Sequence, residues 1–284
     1  MGNTRIEWAD MSWNPVTGCT PVSEGCRNCY AARMAKRLAG RCGYPKDDPF
    51  KVTFHPDRLG DPEKWRTPRR IFVCSMGDLF HESVQFDWID KIFAIAALCQ
   101  RHTFMLLTKR HDRMAEYYNR AGFKLIIYKH IRAANGGRVP ESAKTGGVAE
   151  FEVAFPLPPK NLWLGVTAEN QKTANQRIPI LLSIPAAVRF VSVEPYLSQI
   201  DLTPWLNKEK LDTPFGLDWV IAGGETGPGA RPMQIEWVRD LRDQCMTAGV
   251  PFFFKKWGPK ADEISDCVID GKVWSEFPDL RRRT

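Results

Sequence analysis

Seven short apolar runs, rich in residues that favour β-strands, recur along the 284-residue chain. Each run ends in a polar or Gly-rich turn, and a helical pattern follows most of them. The runs are SWNPV (12–16), RIFVCSM (70–76), HTFMLLT (102–108), NLWLGVT (161–167), VRFVSVE (188–194), DWVIAGG (218–224) and VPFFFKK (250–256). Continuous apolar runs indicate strands that are buried on both faces. Because strands and helices alternate, the sequence predicts parallel strands in an α/β fold.

Three segments between these runs have the periodicity of helices that face a core. Residues 31–38, 87–100 and 234–247 repeat apolar side chains at helical spacing. Asp87 is predicted to cap the second helix, and Gly249 is predicted to end the third. Six or seven strands are too few for a complete eight-stranded barrel. We therefore predict an α/β fold with a partial (β/α) TIM-like barrel of six to seven parallel strands.

A long basic segment interrupts the alternation of strands and helices. Residues 119–160 form a predicted Gly-containing insertion, and loops of this length are usually functional or mobile. The predicted organisation is one partial barrel over residues 1–260, which contains the insertion, and a C-terminal extension over residues 261–284.

The composition is that of a globular protein, with 43% hydrophobic and 26% charged residues. The N-terminus lacks the basic flank and apolar stretch of a signal peptide, and the longest apolar run, residues 92–99, is too short to span a membrane. We expect a cytoplasmic protein without a membrane partner. Thiols stay reduced in that compartment, so clustered cysteines indicate a metal or a cofactor instead of disulfides.

The chain has a formal net charge of +7, with Lys and Arg concentrated at residues 66–70, 124–144 and 281–283. A basic surface attracts polyanions, and ten tryptophans offer faces on which bases stack. Nucleic acid is therefore a candidate partner.

Polar residues follow the end of every predicted strand. In chain order they are Cys19, Cys26 and Cys29; Asp78, His81 and Glu82; Thr108, Lys109 and Arg110; Glu169 and Asn170; Glu194; Glu225; and Lys255 and Lys256. In parallel α/β folds the active site forms at the C-terminal ends of the strands. We expect these groups to converge there.

Three of the eight cysteines, Cys19, Cys26 and Cys29, have the spacing C-x6-C-x2-C. Three thiolates can hold a cubane iron–sulfur cluster whose fourth iron stays open to a small ligand. Alternatively, Cys42 completes a four-cysteine zinc site, although the paired spacing of such sites is missing. The other cysteines are expected to be small hydrophobic residues: Cys74 in a strand, Cys99 and Cys245 in helices, and Cys267 in the C-terminal region.

Motifs from Ile6 to Gly258 carry a family resemblance. They are EWADMSWNPVTGC, GCRNCYAARMAKR, RIFVCSMGDLFHE, HTFMLLTKR, NLWLGVTAEN, RFVSVEPY, DWVIAGGETGPGARPM and PFFFKKWG. Together they resemble a phage and prophage family of three-cysteine proteins related to the radical S-adenosylmethionine (SAM) enzymes. The usual spacing in that superfamily is C-x3-C-x2-C with an aromatic residue before the last cysteine. Here the first gap is six residues, and Asn28 precedes the last cysteine.

The resemblance implies a partial barrel of the radical SAM type, in which Cys19, Cys26 and Cys29 bind a [4Fe-4S] cluster and the open iron chelates SAM. By position, the element that binds the amino group of SAM corresponds to Ser75, Met76, Gly77 and Asp78. Candidates for the other cofactor contacts, to ribose, carboxylate or adenine, are Glu169, Asn170, Glu194, Gly223, Gly224 and Glu225.

Substrate contacts are expected from the remaining basic strand-end residues, which are His81, Lys109, Arg110, Lys255 and Lys256. The residue that returns a hydrogen atom to the product radical is not identified, and the candidates are Tyr30, Cys74 and Tyr196.

The implied chemistry is a reductive cleavage. One electron, from a donor such as flavodoxin or ferredoxin, enters the sulfonium of SAM, and a carbon–sulfur bond breaks. The resulting 5′-deoxyadenosyl radical then takes a hydrogen atom from an unreactive carbon. The phage context, which would place the protein in the host cytoplasm, and the basic charge favour rearrangement or isomerisation of an amino-acid-decorated thymine in DNA. The alternatives are a lyase that reverses DNA lesions and a non-catalytic, zinc-stabilised phage protein that binds nucleic acid.

Overall fold

The computed structural model describes residue 4 and residues 6–136, 157–207, 215–258 and 267–279. Its strands are β1 (Met11–Trp13), β2 (Val16–Thr17), β3 (Thr53–Phe54), β4 (Arg70–Val73), β5 (Thr103–Thr108), β6 (Leu162–Thr167), β7 (Val188–Val193), β8 (Trp219–Ala222), β9 (Phe252–Phe254), β10 (Val268–Ile269) and β11 (Lys272–Val273). Its α-helices are α1 (Tyr30–Arg37), α2 (Asp61–Lys64), α3 (Phe86–Leu98), α4 (His111–Asn119), α5 (Phe123–Ala134), α6 (Gln171–Ser183), α7 (Thr203–Leu206) and α8 (Ile235–Ala248). Among the described residues, every helix is too short or too polar to cross a membrane.

Seven of the strands form one sheet, in the order β1-β4-β5-β6-β7-β8-β9. The pairs β1–β4, β4–β5, β7–β8 and β8–β9 are parallel. All six residues of β6 and of β7 are buried, as expected for strands covered on both faces. The predicted fold class, α/β with a partial barrel of six to seven parallel strands, is confirmed. The sequence did not predict the two antiparallel pairs, β2–β3 and β10–β11, because each strand is only two residues long.

The chain divides into two compact units. Unit 1 consists of Met1–Thr20, Ala31–Trp163 and Pro185–Ala187, and unit 2 consists of Pro21–Tyr30, Leu164–Ile184 and Val188–Thr284. The predicted boundaries at residues 260 and 261 stay a prediction.

The core of unit 1 lies around β1, β4 and β5. Trp13 is opposite Val73, and Val73 is opposite Leu106 in the parallel register. The rings of Trp13 and Phe104 meet edge to face at 5.6 Å, and both are fully buried. Helix α3 packs against α5 in the same unit.

The predicted insertion is partly helical. Residues 123–134 are helix α5, which buries Ile127, Tyr128 and Ile131. The basic residues around this apolar stripe concealed it from sequence analysis. Residues 137–156 of the insertion lie outside the described residues.

The core of unit 2 lies around β7, β8 and β9. Gly165 in β6 leaves room for the ring of Phe190, because a Cβ at this position would lie 2.5 Å from that ring. Helix α8 ends at Gly249, whose φ of 65° is the left-handed conformation that glycine adopts most readily. The predicted helix end at Gly249 is therefore confirmed.

Three local predictions are wrong. Cys99 is not in a helix, because α3 ends at Leu98 and Cys99 leaves the helical conformation. Asp87 does not cap α3, because the helix already begins at Phe86, and Asp87 instead accepts a hydrogen bond from Lys91 Nζ at 2.6 Å. Cys74 is not in a strand, because β4 ends one residue earlier and Cys74 turns into the left-handed region with φ of 57°. The predicted Arg cluster at 281–283 lies outside the described residues.

Candidate functional site

Arg110 follows β5 and is almost fully buried in unit 1. Its Nη1 donates to Cys19 Sγ at 3.1 Å and to Asp78 Oδ2 at 3.3 Å. Its Nη2 donates to the carbonyl oxygen and hydroxyl of Thr20, both at 3.0 Å, and its Nε donates to the carboxylate of Glu82. All five N–H groups of the guanidinium therefore have acceptors within the protein.

The charges around Arg110 favour its protonated form. Burial alone lowers the pKa of Arg110, but the negative charges of Asp78, Cys19 and Glu82 raise the pKa above its ordinary value. A permanent cation thus lies beside the sulfur of Cys19. A neighbouring cation stabilises a thiolate, which is the form of cysteine that binds metals.

Hydrogen bonds to Asn14 and a close contact with Gly18 fix the turn after β4, residues 75–78. Asn14 Oδ1 accepts hydrogen bonds from Met76 N at 2.9 Å and from Ser75 Oγ at 3.3 Å. Gly77 lies directly against Gly18, since a Cβ on Gly77 would lie 2.9 Å from the carbonyl oxygen of Gly18. Only glycine allows this approach, which brings the turn next to the residue that precedes Cys19.

Asp78 is a buried hydrogen-bond acceptor. Its Oδ1 accepts from Thr108 Oγ1 at 2.7 Å and from the backbone N–H of Phe80 at 3.0 Å. Its Oδ2 accepts from the backbone N–H of Lys109 at 3.2 Å. With only 8% of its side chain exposed, Asp78 joins the ends of β4 and β5.

His81 orients Thr20. Because the backbone N–H of Ser83 donates to His81 Nδ1 at 3.0 Å, the proton of the neutral ring is on Nε2, which donates to Thr20 Oγ1 at 2.9 Å. Burial first, and then the charge of Arg110, lower the pKa of His81 below its ordinary value. The ring is therefore neutral near pH 7.

Residues 21–30, here called the cysteine loop, belong to unit 2 and contact the end of β6 in the same unit. Ser23 Oγ donates to Glu169 Oε1 at 2.6 Å, and Arg177 Nη1 donates to Glu169 Oε2 at 2.9 Å. The Glu169 side chain is fully buried. Gly25 lies so close that a Cβ would come within 2.4 Å of Glu169 Cγ. The loop backbone therefore packs directly on this carboxylate.

The two cysteines of the loop lie on either side of a tight turn. Cys26 ends a 3-10 turn, Glu24–Cys26, and its carbonyl oxygen accepts from the backbone N–H of Cys29 at 3.2 Å. Ser23 Oγ lies 3.8 Å from Cys26 Sγ. Helix α1 begins directly after Cys29, at Tyr30.

Glu225, at the end of β8, holds the other side of the loop. Asn28 Nδ2 donates to Glu225 Oε2 at 2.9 Å, and Arg231 donates to both carboxylate oxygens through its backbone N, Nε and Nη2. Burial alone raises the pKa of Glu225, but the hydrogen bonds from Arg231 and Asn28 lower this pKa to about 2. Glu225 is therefore ionised at all physiological pH values.

Glu24 adds a further contact between the loop and the rest of unit 2. Its Oε1 accepts from Asn170 Nδ2 at 2.6 Å, and its carbonyl oxygen accepts from Arg231 Nη2 at 3.0 Å. Asn170 also caps α6, where its Oδ1 accepts from the backbone N–H of Thr173. Asn170 thus links the start of that helix to the loop.

A salt bridge joins the residues that follow β7 and β9. Lys255 Nζ lies 3.0 Å from Glu194 Oε1, and about one fifth of each side chain is exposed. A Cβ on Gly223 would lie 2.7 Å from that carboxylate oxygen. The backbone N–H of Gly224 donates to the carbonyl oxygen of Lys256 at 2.9 Å. A Cβ on Gly224 would lie 1.7 Å from the carbonyl oxygen of Trp257, so both glycines allow close packing in unit 2.

The three candidate hydrogen donors have different environments. Tyr30 is 57% exposed. Cys74 is buried, and burial raises the pKa of its thiol to about 12, so it is a neutral S–H. The hydroxyl of Tyr196 donates to the carbonyl oxygen of Trp237 at 3.1 Å, and burial raises its pKa.

None of the eight cysteines forms a disulfide. Within the described ranges, no group of three or more His, Cys, Asp or Glu side chains is arranged to hold a metal ion. By their chemistry, the three thiols fit an iron–sulfur cluster, since thiolates are its usual ligands and Cys19 already accepts a hydrogen bond from Arg110. Cys42, the fourth ligand of the zinc alternative, is exposed in a turn.

Sequence analysis found the strand-end residues but missed their partners. Ser23, Asn28, Arg177 and Arg231 were not predicted as site residues. Arg231 follows Glu225 by six residues, and Arg177 follows Glu169 by eight residues in the next helix. An arginine soon after a strand-end carboxylate was the one signal available.

The chain was compared with protein families, with curated proteins and with solved structures. A family described as "Protein of unknown function (DUF5131)" matches residues 3–278. A search of curated proteins returns no match. Spore photoproduct lyase in complex with dinucleoside spore photoproduct is similar in structure, with 9% identity and a TM-score of 0.43, over 82% of this chain and 60% of the other. A single-residue mutant of spore photoproduct lyase has 8% identity and a TM-score of 0.48, over 90% of this chain and 81% of the other.

Proposed function

We propose that the chain, which belongs to the DUF5131 family, is a radical SAM enzyme in which Cys19, Cys26 and Cys29 hold a [4Fe-4S] cluster. The observation that carries this proposal is the hydrogen bond from the buried Arg110 to Cys19 Sγ. A buried cation beside a thiol favours the thiolate that iron requires. A purely structural cysteine is instead buried as a small hydrophobic residue, as Cys245 is.

The cofactors supply the radical chemistry, namely one-electron cleavage of a carbon–sulfur bond in SAM and removal of a hydrogen atom from carbon. The protein positions them. We assign the fixed turn Ser75–Asp78 to SAM, with its backbone as the contact surface, because the Asp78 oxygens already accept hydrogen bonds from protein groups. Glu194 keeps partial solvent access and is the strand-end carboxylate we assign to the ribose.

The remaining candidates are assigned either to the substrate or to positioning within the site. Lys255 and Lys256, at the end of β9, stay assigned to the substrate, as does Lys109. Arg110 and His81 are assigned to positioning Cys19 and Thr20, because their polar atoms contact those residues. Glu169, Asn170 and Glu225 are assigned to the cysteine loop for the same reason.

The substrate that we propose is DNA that carries a modified thymine, which the enzyme rearranges or isomerises. The net charge of +7 supports a polyanionic substrate. Helix α5 contributes to this charge through the exposed residues Lys124, Lys129 and Arg132. An enzyme that acts on a base must take it out of the helical stack, and phosphate contacts hold the strand while it does so. A small acidic electron carrier such as flavodoxin or ferredoxin fits the same basic charge.

The test of the enzyme class is anaerobic reconstitution with iron and sulfide, followed by addition of reductant and SAM. We expect 5′-deoxyadenosine to be released by the wild-type protein and by the control variant Cys267→Ala, whereas Cys26→Ala and Cys29→Ala release none. If the wild-type protein releases none and contains a single zinc ion, the non-catalytic alternative is correct.

The substrate is tested with the same preparation. Phage-type DNA is incubated with enzyme, reductant and SAM, digested to nucleosides and analysed by mass spectrometry. An isomerised nucleoside has unchanged mass and a new retention time. Conversion only of DNA that contains photolesions instead identifies a repair lyase.

A further inference from the structure

Asn28 stands where radical SAM proteins usually have an aromatic residue, directly before the last cysteine of the motif. The side chain of Asn28 has two N–H donors on Nδ2, and both have acceptors in unit 2. One donates to Glu225 Oε2 at 2.9 Å, and the other donates to the carbonyl oxygen of Gly229 at 2.9 Å. A phenylalanine at this position could make neither bond.

The acceptor of this contact is itself immobilised. Glu225 is only 6% exposed, and Arg231 binds its carboxylate at 2.6 to 2.9 Å through three N–H groups. Gly258 packs on the backbone of Glu225, since a Cβ there would lie 2.9 Å from its carbonyl oxygen. A carboxylate that is held from several sides presents a fixed acceptor to Asn28. Hydrogen bonds to charged groups are among the stronger ones in proteins.

The same arginine also holds the loop ahead of Cys26. Arg231 Nη2 donates to the carbonyl oxygen of Glu24 at 3.0 Å. The turn that carries Cys26 and Cys29 is therefore bound on one side through Glu24 and on the other through Asn28. Asn28 binds Glu225, Glu24 binds Arg231, and Glu225 and Arg231 form a salt bridge with each other.

We propose that Asn28 and Glu225 form a latch that sets the positions of Cys26 and Cys29 before any metal binds. Asn28 is a positioning residue, because it acts through the cysteines on either side of it and touches no reacting atom. The identity of the metal group rests on the proposed function, whereas the order of the loop in the metal-free protein does not.

The test compares Asn28→Asp with two further variants and a control. Asn28→Asp keeps the shape of the side chain but turns the two donors into an acceptor that faces a carboxylate and a carbonyl group. The double variant Asn28→Asp, Glu225→Gln restores a donor on the opposite side and keeps the total charge beside Arg231 unchanged. The control Asn175→Asp makes the same charge change on the exposed face of α6 in the same unit.

The first measurement is hydrogen–deuterium exchange of the cysteine-loop amides in the metal-free protein. The second is the rate at which a chelator removes iron from the reconstituted protein, together with the electron paramagnetic resonance spectrum of the reduced cluster. In Asn28→Asp we expect loop exchange and iron loss each to be about tenfold faster, and the spectrum to change. The double variant should recover part of this loss, and Asn175→Asp should match the wild type.

The possible results separate the latch from the proposed function. If the wild-type protein takes up no iron and sulfide, the proposed function fails, and loop exchange alone decides whether the latch exists. A second case is that the wild type takes up iron and sulfide while Asn28→Asp matches it in iron retention and in the spectrum of the cluster. In that case the latch does not position the cysteines, even where the loop amides of Asn28→Asp exchange faster. Equal exchange in both proteins overturns the latch in every case.

Discussion

Arg110 Nη1 lies 3.1 Å from Cys19 Sγ, and the same nitrogen lies 3.3 Å from Asp78 Oδ2. One buried guanidinium thus joins a candidate iron ligand to the strand-end carboxylate of unit 1. These two contacts hold Cys19, which is only partly exposed, and the buried Asp78 against the same guanidinium. We therefore expect removal of Arg110 to destabilise unit 1.

Arg110→Met should lower the free energy of unfolding by about 3 to 5 kcal/mol, because it leaves the buried Asp78 without its cation. Equilibrium unfolding in urea measures this change. The matched control is Lys64→Met, which breaks a pair whose lysine side chain is 68% exposed and should give no measurable change. Equal effects of the two substitutions would refute the importance of the buried pair.

Glu225 should make unit 2 sensitive to acid. Its pKa lies near 2 in the folded protein, mainly because hydrogen bonds from Arg231 oppose the effect of burial, and near 4.5 as its ordinary value. A lowered folded pKa contributes stability that is fully present above about pH 5 and is lost as the pH falls towards 2. We therefore expect Glu225→Gln to be less stable than the wild type at pH 6, with the difference shrinking between pH 5 and 2. A difference that stays constant over this range, measured by urea unfolding at each pH, would contradict the assignment.

Gly25→Ala should disturb the cysteine loop. The new Cβ would lie 2.4 Å from the Cγ atom of Glu169, whose fully buried side chain has no space to move. Overpacking of this kind costs about 2 kcal/mol of unfolding free energy. The control Gly60→Ala places its Cβ 3.4 Å from a flexible glutamate oxygen. A thermal melt of both variants should show a lower midpoint for Gly25→Ala alone, and equal midpoints would mean that the loop does not pack on Glu169.

DNA binding should weaken steeply with salt. Each phosphate that a lysine or arginine contacts adds about 0.9 to the slope of log affinity against log salt for duplex DNA. The double variant Lys129→Ala, Arg132→Ala, on the exposed face of α5, should therefore lower that slope by about 2. Fluorescence anisotropy with a labelled duplex measures the slope, and Lys64→Ala is the control. Binding that does not depend on salt would exclude a phosphate-contacting surface.

Much of the fold could be predicted because its strands are continuous apolar runs. All seven strands of the main sheet overlap the predicted runs, although each observed strand is shorter than its run. Helix α5 was missed because Lys124, Lys129 and Arg132 interrupt its short apolar stripe. The two-residue strands β2, β3, β10 and β11 carry no periodic signal at all.

The strand-end positions of the candidate residues could be predicted from the sequence, but their hydrogen-bond partners could not. Strand ends are local features, so Glu169 and Glu225 could be found from the runs that precede them. Their partners Ser23 and Asn28 lie 146 and 197 residues away along the chain, and no local pattern connects them. The contact of these two glutamates with SAM stays a prediction, whereas their hydrogen bonds to the cysteine loop are visible only in the folded chain.

The central claim is that Cys19, Cys26 and Cys29 form a three-thiolate cluster site that needs no fourth cysteine. Elemental and sulfide analysis of the anaerobically purified wild type and Cys42→Ala tests this claim most directly. The account predicts about four irons and four sulfides per chain in both proteins. One zinc ion per chain in the wild type, lost in Cys42→Ala, would contradict it.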